Sequence, residues 1–315
     1  MTGGARRDGA RLRGAIQIAC CWALLAGCAT TGTQATGHPP PAASSAASAS
    51  TTTVEVDGRP AMLYVPPSRP AGLPTALVVV LHGYTGQAAG AVDFFGLRTL
   101  ADQRGFVILA PQGTTDTEGN TFWNASAACC NFHGSNVDDS GYLSRLVAKA
   151  VATQGLDPAR VYMVGHSNGG FMTHTFACEH ADQVAAVASL AGALDTEPHC
   201  TPSVPVSVLQ VHGTADDTIS YAGGEIAGRP YTSAAKTVAL WREVDHCSGD
   251  ARPGDRLDAD AAVAGEDLRQ TTWTGCRTGA EVSLWTITGG THVPTLTPAF
   301  TVALFDWLEA HQRTR

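Results

Sequence analysis

The ten residues Val161-Tyr-Met-Val-Gly-His-Ser-Asn-Gly-Gly170 decide the fold. Residues 161–164 form a short apolar run that is typical of a buried strand, and residues 169–178 have a helical pattern. Between them, residues 165–169 match G-x-S-x-G, a motif whose serine lies on a sharp turn from strand to helix. Because the strand and the helix that this motif requires both flank it, we predict that Ser167 is a nucleophile. The alternative is an incidental serine in a glycine-rich turn.

Apolar runs alternate with helical patterns from residue 53 onward. A hairpin is predicted around Asp57-Gly58, and the unbroken apolar run 76–81 is typical of a strand buried on both faces. Further strands are predicted at residues 106–110, 161–164, 184–190, 206–211 and 282–287, and helices at residues 91–103, 139–153, 169–178, 232–244 and 298–311. This alternation predicts a mostly parallel sheet with helices on both faces and a ligand site at the carboxyl ends of its strands.

A nucleophilic serine needs a general base, and the base needs a carboxylate that orients it. On α/β-hydrolase sheets the chain order is serine, acid, histidine, with each partner in a loop after a later strand. The run 206–211 is followed by His-Gly-Thr-Ala-Asp-Asp, which offers Asp216 or Asp217. The run 282–287 is followed by a glycine-containing loop with His292. We therefore predict that His292 is the base and that one of these aspartates orients it.

Two backbone N–H groups must also point at the negative charge that develops on the substrate oxygen. One is expected from Asn168, which follows the nucleophile, and we assign the other to Tyr84, with Thr85 as the alternative. Four side chains are expected to line the cleft: Trp123, Asn124, Thr85 and His166. For Trp123, packing beneath its own loop is an equally open alternative.

The connection between the runs 184–190 and 206–211 is short and contains Pro and Gly. It has no room for the helical lid that this connection often contains in α/β-hydrolases. We therefore expect an open active site, which suits a polymer or a bulky ester better than a buried acyl chain.

Residues 54–310 resemble the polyhydroxybutyrate depolymerase-like esterases, which include feruloyl and acetylxylan esterases of the first carbohydrate esterase family. Besides the serine motif, the matching runs are His82-Gly83, Pro111-Gln-Gly113, Trp123-Asn124, Cys129-Cys130, Val137-Asp-Asp139, His212-Gly-Thr-Ala-Asp216 and Gly289-Gly-Thr-His292. The resemblance implies an α/β-hydrolase fold without a large lid domain. It also implies a triad of Ser167, Asp216 and His292 that hydrolyses carboxylic esters without a cofactor or a metal.

Two positions depart from the family pattern. Family members commonly have G-H-x-W-P-G around the histidine, whereas this chain has His292-Val-Pro-Thr295 and lacks the tryptophan. The usual Val-Pro-Tyr after the aspartate is replaced by Ile219-Ser-Tyr221. The missing tryptophan weakens the expectation of stacking on a phenolic or sugar ring, while the triad is unaffected.

Six cysteines follow Cys28, an even number that suggests disulfides in an exported protein. The resemblance favours Cys247–Cys276, and Cys178–Cys200 is plausible because both residues flank the predicted strand 184–190. Cys129 and Cys130 either bond to each other or pair elsewhere. Metal binding is disfavoured because the chain has no CxxC or HExxH spacing.

The first 27 residues predict a lipoprotein signal peptide. Four arginines between residues 6 and 13 precede a short apolar run at residues 16–25. Leu25-Ala-Gly-Cys28 resembles the bacterial lipobox, which implies cleavage before Cys28 and lipid attachment to its thiol; an ordinary signal peptide is the alternative. Residues 28–52, rich in Ala, Ser, Thr and Pro, predict a disordered tether, and residues 53–315 predict one catalytic domain.

The chain has a formal net charge of −8 and is 44% hydrophobic, enough for one sizeable core. So acidic a protein is a poor candidate for binding nucleic acid, which is held mainly through phosphate contacts. We expect a monomer outside the cytoplasm, on the cell envelope or extracellular, which contacts a membrane only through the lipid at Cys28.

The leading hypothesis is a serine esterase that acts on a polymeric or bulky ester, either a polyhydroxyalkanoate or a feruloylated or acetylated polysaccharide. A serine peptidase is the first alternative, disfavoured because the chain has no propeller or lid domain to select peptides. A non-catalytic polymer-binding lipoprotein is the second, and it would have no need of an intact triad.

Overall fold

The structure, a computed structural model, describes residues 48–196 and 200–313. The predicted signal peptide, the predicted lipidation site Cys28 and most of the predicted tether lie outside the described residues. The predicted end of the tether at residue 52 is wrong, because the first strand begins at Ser50 and pairs with Val65 there. Among the described residues, no helix is long and apolar enough to cross a membrane.

Strands and helices alternate along most of the described chain. The strands are β1 (Ser50–Val56), β2 (Arg59–Val65), β3 (Thr75–Leu81), β4 (Val107–Pro111), β5 (Thr114–Thr115), β6 (Thr121–Phe122), β7 (Leu156–His166), β8 (Ala186–Leu190), β9 (Ser207–Gly213), β10 (Gly224–Ile226), β11 (Arg229–Tyr231), β12 (Ala251–Leu257), β13 (Leu268–Trp273) and β14 (Val282–Ile287). The helices are α1 (Ala88–Phe94), α2 (Leu97–Arg104), α3 (Asp139–Gln154), α4 (Asn168–Glu179), α5 (Ala234–Val244) and α6 (Pro298–Glu309), with short 3₁₀ turns at Ala181–Gln183 and Arg277–Gly279.

Ten of these strands form one sheet, in the order β1-β2-β4-β3-β7-β8-β9-β14-β13-β12. The six central strands, from β4 to β14, run parallel, and two antiparallel strands extend the sheet at each edge. The carboxyl ends of β3, β7, β8, β9 and β14 therefore lie side by side. The predicted α/β-hydrolase architecture is confirmed.

The sheet is buried on both faces, as the apolar runs predict. Along β3, Leu77, Val79 and Leu81 belong to the core beneath α3, α4 and α5. The alternate residues Ala76, Val78 and Val80 belong to the core beneath α1, α2 and α6. The period-two alternation of a strand divides an unbroken apolar run between two cores, which is why the run has no polar face.

Two elements differ from the prediction. The predicted helix at residues 91–103 is two helices, because the chain turns at Gly96, whose φ of +64° ends α1 and begins α2. The polar segment between Cys247 and Cys276 contains the hairpin β12–β13, which adds two strands to the sheet edge. Every residue of β12 except Leu257 is exposed, so the segment has no buried face that could produce a strand pattern.

Three disulfides join the six described cysteines: Cys178–Cys200, Cys247–Cys276 and Cys129–Cys130. The first two agree with the expected pairs. The open question about the adjacent cysteines is answered by a bond between them. Cys247–Cys276 closes the base of the β12–β13 hairpin, and Cys178–Cys200 ties the end of α4 to the connection that leads into β9.

The connection between β8 and β9 contains no helix within residues 191–196 and 200–206. Ser167 is 8% exposed and the His292 side chain is 13% exposed, although both lie at the carboxyl edge of the sheet. In the part of the chain that the structure describes, no separate lid domain covers this edge.

Candidate active site

Ser167 occupies the turn between β7 and α4. Its backbone has φ +54° and ψ −121°, a region that non-glycine residues rarely adopt. The conformation is stabilised on both sides, since Ser167 N–H donates to Leu190 O at 2.8 Å and Ser167 O accepts from Phe171 N–H at 3.0 Å. Strained backbone of this kind is found where surrounding structure over-determines it, often at functional positions.

The glycines of the motif are required by close backbone approach. A Cβ on Gly165 would overlap the carbonyl oxygen of Gly169, and a Cβ on Gly169 would lie 2.5 Å from the carbonyl oxygen of Leu81. In each case the opposing atom is backbone, in the first turn of α4 or at the end of β3, and cannot rotate away. Small residues on both sides of Ser167 therefore let α4 begin directly against β3.

Gly165→Ala is expected to lower the free energy of unfolding by about 3 kcal/mol or more, because its methyl group collides with backbone. Urea unfolding followed by circular dichroism measures this. Gly90→Ala is the matched control, because nothing lies within 4 Å of the Cβ that it adds. Alanine also favours the helix α1, so the free energy of unfolding of this variant should rise by up to about 1 kcal/mol. A Gly165→Ala protein as stable as the wild type would contradict this account of the turn.

The structure brings together the three side chains of the predicted triad. His292 Nε2 lies 2.9 Å from Ser167 Oγ, and His292 Nδ1 lies 2.8 Å from Asp216 Oδ2. With Nδ1–H donating to the carboxylate, Nε2 presents a lone pair to the serine hydroxyl. This is the arrangement in which the imidazole can accept the hydroxyl proton.

Asp216 rather than Asp217 contacts the histidine. The carboxylate of Asp216 is fully buried, while Asp217 is exposed and its side chain accepts a hydrogen bond only from Thr218 Oγ1, at 3.4 Å, among the described residues. Oδ1 of Asp216 accepts from the N–H groups of Thr218 and Ile219, at 2.9 and 2.8 Å. Burial alone would raise the pKa of Asp216, but His212, His292 and the N–H of Ile219 outweigh it and hold the pKa well below its usual range.

Backbone hydrogen bonds join the loop with Asp216 to the loop with His292. Thr214 N–H donates to Ile287 O at 2.9 Å, and Ala215 N–H donates to Gly290 O at 2.9 Å. On the far side of His292, the buried carboxylate of Asp260 accepts from Thr295 N–H at 2.9 Å. The imidazole is therefore positioned by backbone contacts on both sides of its loop.

The N–H groups of Tyr84 and Asn168 are available to a ligand. A Cβ on Gly83 would lie 3.2 Å from Ser167 Cβ, so the loop after β3 passes directly beside the nucleophile. Thr85 N–H donates to Thr121 O at 2.8 Å, which removes the alternative donor. Tyr84 N–H donates to no acceptor among the described residues, and Asn168 N–H stands in the first turn of α4, where helical partners are absent.

Trp123 does not line the cleft, so that prediction is wrong. Its side chain is completely buried, and its Nε1–H donates to His82 O at 3.0 Å. Its backbone is held by the Asn168 side chain, whose Oδ1 accepts from Trp123 N–H at 2.7 Å and whose Nδ2 donates to Trp123 O at 3.0 Å. Trp123 therefore supports the loop that packs against the nucleophile's helix, as in the alternative that the sequence leaves open.

Asn124 is likewise engaged within its loop. Its Nδ2 donates to Val137 O at 2.8 Å, and its Oδ1 accepts from Asn131 Nδ2 at 3.0 Å. Both polar ends of the side chain are thus occupied, and its role is to join neighbouring loops. Thr85 is exposed at the mouth of the site and remains a candidate for substrate contact.

His166 lies directly beside the triad histidine. Its Nε2–H donates to the carbonyl oxygen of His292 at 2.8 Å, and its ring centroid is 5.0 Å from that of His292 and 4.8 Å from that of Phe94. Burial is the main cause that lowers the pKa of His166 to about 4, so the ring is neutral near pH 7. The observed contact fixes the His292 backbone, and the predicted substrate contact stays a prediction.

Sequence reasoning missed Phe94 and Leu296, which line a cavity of about 240 Å³, and the Phe94 ring also contacts that of His166. Phe94 lies in a segment with an ordinary helical pattern, and Leu296 follows the histidine loop without a motif. Asp260 was also missed, since one aspartate in an acidic segment gives no signal for its contact with Thr295. Nothing in the residue pattern distinguishes these positions.

The fold and this site together define the class of protein to which the chain belongs. A mostly parallel sheet with a serine on a strand-to-helix turn, followed in chain order by Asp216 and His292, is the arrangement of α/β-hydrolases. The chain belongs to the Esterase PHB depolymerase family, whose model matches residues 60–261. It is accordingly a carboxylic ester hydrolase.

Several named proteins are similar to this chain. NocK of Nocardia uniformis subsp. tsuyamanensis is 30% identical over 238 residues, which is 72% of this chain and 67% of that protein. Poly(3-hydroxybutyrate) depolymerase of Ralstonia pickettii is 30% identical over 242 residues, 71% of this chain and 46% of that protein. Feruloyl esterase B of Piromyces equi is 28% identical over 182 residues, 54% of this chain and 31% of that protein. The chain thus spans less than half of the last two proteins.

Among solved structures, acetyl xylan esterase from Aspergillus awamori superposes with a TM-score of 0.59 at 17% identity. The match covers 82% of this chain and 99% of that one. At this level of identity the likeness shows the shared fold.

Proposed function

We propose that this protein is an extracytoplasmic serine esterase that cleaves aliphatic polyesters through an acyl-enzyme at Ser167. The observation that supports the mechanism best is the continuous contact from Ser167 Oγ through His292 to Asp216, with separations of 2.9 and 2.8 Å. The same contacts weigh against a purely binding role, which needs no base beside the serine.

In the acylation step, Ser167 Oγ attacks the ester carbonyl carbon as its proton passes to His292 Nε2. The carbonyl oxygen becomes an oxyanion, and the N–H groups of Tyr84 and Asn168 donate to it. Asn168 also begins α4, so the positive end of a 12-residue helix faces the same charge. The imidazolium then protonates the leaving alkoxide, which departs as the alcohol and leaves the acyl group on Ser167.

In the deacylation step, His292 removes a proton from a water molecule, whose oxygen attacks the acyl carbon. The second oxyanion uses the same two N–H groups, and the proton returns to Ser167 Oγ as the carboxylic acid leaves. Asp216 stays ionised throughout, because its low pKa keeps the proton on His292 Nδ1. No step needs a cofactor or a metal.

An aliphatic substrate is favoured by a cavity behind Phe94, whose ring contacts His166. The cavity that Phe94 lines has a single charged side chain, Asp93, and the polar side chains of Thr99, Gln103 and Thr301 among its described residues. Its apolar members are Phe94, Leu100, Leu296, Pro298 and Val302. Val293, which immediately follows the triad histidine, is 61% exposed. Apolar residues of this kind can bury methyl and methylene groups on either side of a neutral ester.

Location outside the cytoplasm is supported by the disulfides, since such bonds persist in oxidising compartments. We propose that residues 1–27 are a signal peptide, that Cys28 bears the lipid anchor and that the following segment is a tether. A tether would let a surface-bound enzyme reach an insoluble substrate. Mass spectrometry of the mature protein tests this, and an N-terminus without lipid at Cys28 would contradict it.

A product screen tests the substrate class. The purified protein would be incubated with polyhydroxybutyrate, methyl ferulate and acetylated xylan, and the released acids quantified. We expect 3-hydroxybutyrate and its short oligomers as the main products. Faster release of ferulate or acetate would assign the enzyme to polysaccharide esters instead, and release of none of the three would contradict the proposed function.

Val302→Ser is expected to lower kcat/KM on a 3-hydroxybutyrate oligomer about fivefold, because apolar area in the cavity is lost. The rate on p-nitrophenyl acetate should stay unchanged, since an acetyl group has little apolar surface for the cavity to bury. Val204→Ser is the matched control, because Val204 is 38% exposed against 37% for Val302 and precedes β9 at the amino end of the sheet. Equal losses in both variants would exclude the cavity as a substrate site.

A further inference from the structure

A chain of buried polar side chains leads from α5 to the triad aspartate. Trp241, His174, Gln210 and His212 are each at most 1% exposed and lie between the sheet and the helices α4 and α5. The same layer contains apolar residues such as Met172, Phe176 and Val238. Burying polar groups in such a layer costs free energy unless each of them is hydrogen-bonded.

The direction of every hydrogen bond in this chain follows from its first member. The indole Nε1–H of Trp241 can only donate, and it lies 3.0 Å from His174 Nδ1. His174 therefore has its proton on Nε2 and donates it to Gln210 Oε1 at 2.9 Å. Burial lowers the pKa of His174 to about 4, so the ring stays neutral and this tautomer persists near pH 7.

The orientation of the Gln210 amide fixes the next tautomer. With Oε1 facing His174, Nε2 donates to Gly192 O at 2.9 Å and to His212 Nδ1 at 3.2 Å. His212 Nδ1 is thus an acceptor, and the proton of the ring is on Nε2. That N–H donates to Ile219 O, 2.7 Å away, and the same Nε2 lies 3.4 Å from Asp216 Oδ2.

The end of the chain meets the oxygen that contacts the proposed base. Asp216 Oδ2 also accepts from His292 Nδ1 at 2.8 Å, so His212 and His292 both face the same carboxylate oxygen. In its other tautomer, His212 would present a lone pair to this carboxylate and to the Ile219 carbonyl. Both contacts would be repulsive, and the loop that contains Asp216 would have to move.

We propose that His212 is a positioning residue for ester hydrolysis, and that the Trp241–His174–Gln210 chain sets its tautomer so that an N–H always faces Asp216. The inference rests on the proposed function. It assigns a task to the histidine of the His212-Gly-Thr-Ala-Asp216 run, which the triad itself does not use. The orientation of the Asp216 carboxylate then depends on the indole N–H of Trp241 on α5, which lies at the opposite end of this series of hydrogen bonds.

Two substitutions at residue 212 separate an N–H effect from a packing effect. In His212→Gln, the side-chain amide nitrogen can take the place of Nε2 and donate to Ile219 O and Asp216. In His212→Asn, the shorter amide reaches only the place of Nδ1, and the donor toward Asp216 is lost. With p-nitrophenyl butyrate, we expect kcat of the Asn variant to fall about tenfold or more at unchanged KM, and kcat of the Gln variant to stay within about threefold of wild type.

The rate of labelling of Ser167 by a fluorophosphonate should fall in the Asn variant by the same factor as kcat. Equal activity of the Asn variant and the wild type would overturn the proposal, and so would an equal loss in the Asn and Gln variants. If the Asn variant fails to fold, Trp241→Phe decides. It removes the indole donor at the start of this series of hydrogen bonds, and kcat per folded molecule should fall severalfold at unchanged KM; an unchanged kcat overturns the proposal.

Failure of this inference is distinguishable from failure of the proposed function. An inactive Ser167→Ala protein together with a fully active His212→Asn protein would remove the positioning role and leave the esterase mechanism intact. An active Ser167→Ala protein would remove both.

Discussion

Replacing Ser167 with alanine is expected to lower kcat on p-nitrophenyl butyrate by about 10⁴-fold or more. The remaining rate would be that of the uncatalysed reaction, raised only by substrate binding and the oxyanion donors. The substitution removes the one atom that forms the acyl bond, while His292 and the two N–H donors remain. Stability should be nearly unchanged, since no hydrogen bond of Ser167 Oγ is found among the described residues apart from that to His292 Nε2. Initial-rate kinetics together with thermal unfolding measure both quantities.

Ser189→Ala is the matched control for this substitution. Ser189 lies on β8 opposite Gly165, is fully buried, and its Oγ has no hydrogen-bond partner among the described residues. Its loss should leave kcat within about twofold of wild type, because no proton or charge depends on it. A Ser167→Ala protein with a substantial share of wild-type activity, free of contaminating esterase, would contradict the assignment of the nucleophile.

Asp216→Asn should lower kcat per folded molecule by about 10³- to 10⁴-fold. The amide would present an N–H in place of a carboxylate oxygen to His292 Nδ1. The imidazole would then favour the tautomer with its proton on Nε2, which cannot accept the hydroxyl proton of Ser167. The stabilisation of the imidazolium by a negative charge would be lost as well.

Asp217→Asn is the matched control, since the neighbouring carboxylate is exposed and lies outside the triad. It should retain nearly full activity. Comparison of the two variants by pre-steady-state kinetics would place the defect of Asp216→Asn in acylation. If Asp217→Asn lost more activity than Asp216→Asn, the assignment of the acid would be reversed.

Much of the architecture could be predicted from the sequence because a parallel sheet leaves a simple pattern. Strands buried on both faces are short apolar runs, and each loop at a carboxyl end begins where its run stops. The loops with Ser167, Asp216 and His292 could therefore be placed at one edge without any coordinates. The glycines around Ser167 strengthen the prediction, because few other turns bring backbone so close that no side chain fits.

The features that could not be predicted depend on contacts between distant segments. The strand end before its loop predicts Trp123 in the cleft, yet its side chain is fully buried and its backbone is held by the side-chain amide of Asn168, 45 residues away. The hairpin β12–β13 has polar, exposed strands and so lacks an apolar face to mark it. Gln210 and His174 are polar residues within apolar runs, and only the packing of β9 on α4 shows that they contact each other.

The two halves of the site are held in place by different parts of the fold. The oxyanion donors and the nucleophile are fixed by backbone at the start of α4 and the end of β3. The base and the acid are fixed by long loops that bond to each other and, through Thr295, to Asp260. Variation in the loops after β9 and β14 could therefore change the substrate while the elbow stays the same.

The most direct test of the account is to trap the acyl-enzyme. The protein would be mixed with p-nitrophenyl butyrate, quenched in acid before steady state, digested and examined by mass spectrometry. We predict one butyryl group per molecule on the peptide that contains Ser167, and none on that peptide in the His292→Ala variant. Burst release of p-nitrophenol with the butyryl group on another residue, or turnover with no covalent adduct at any time, would contradict the central claim.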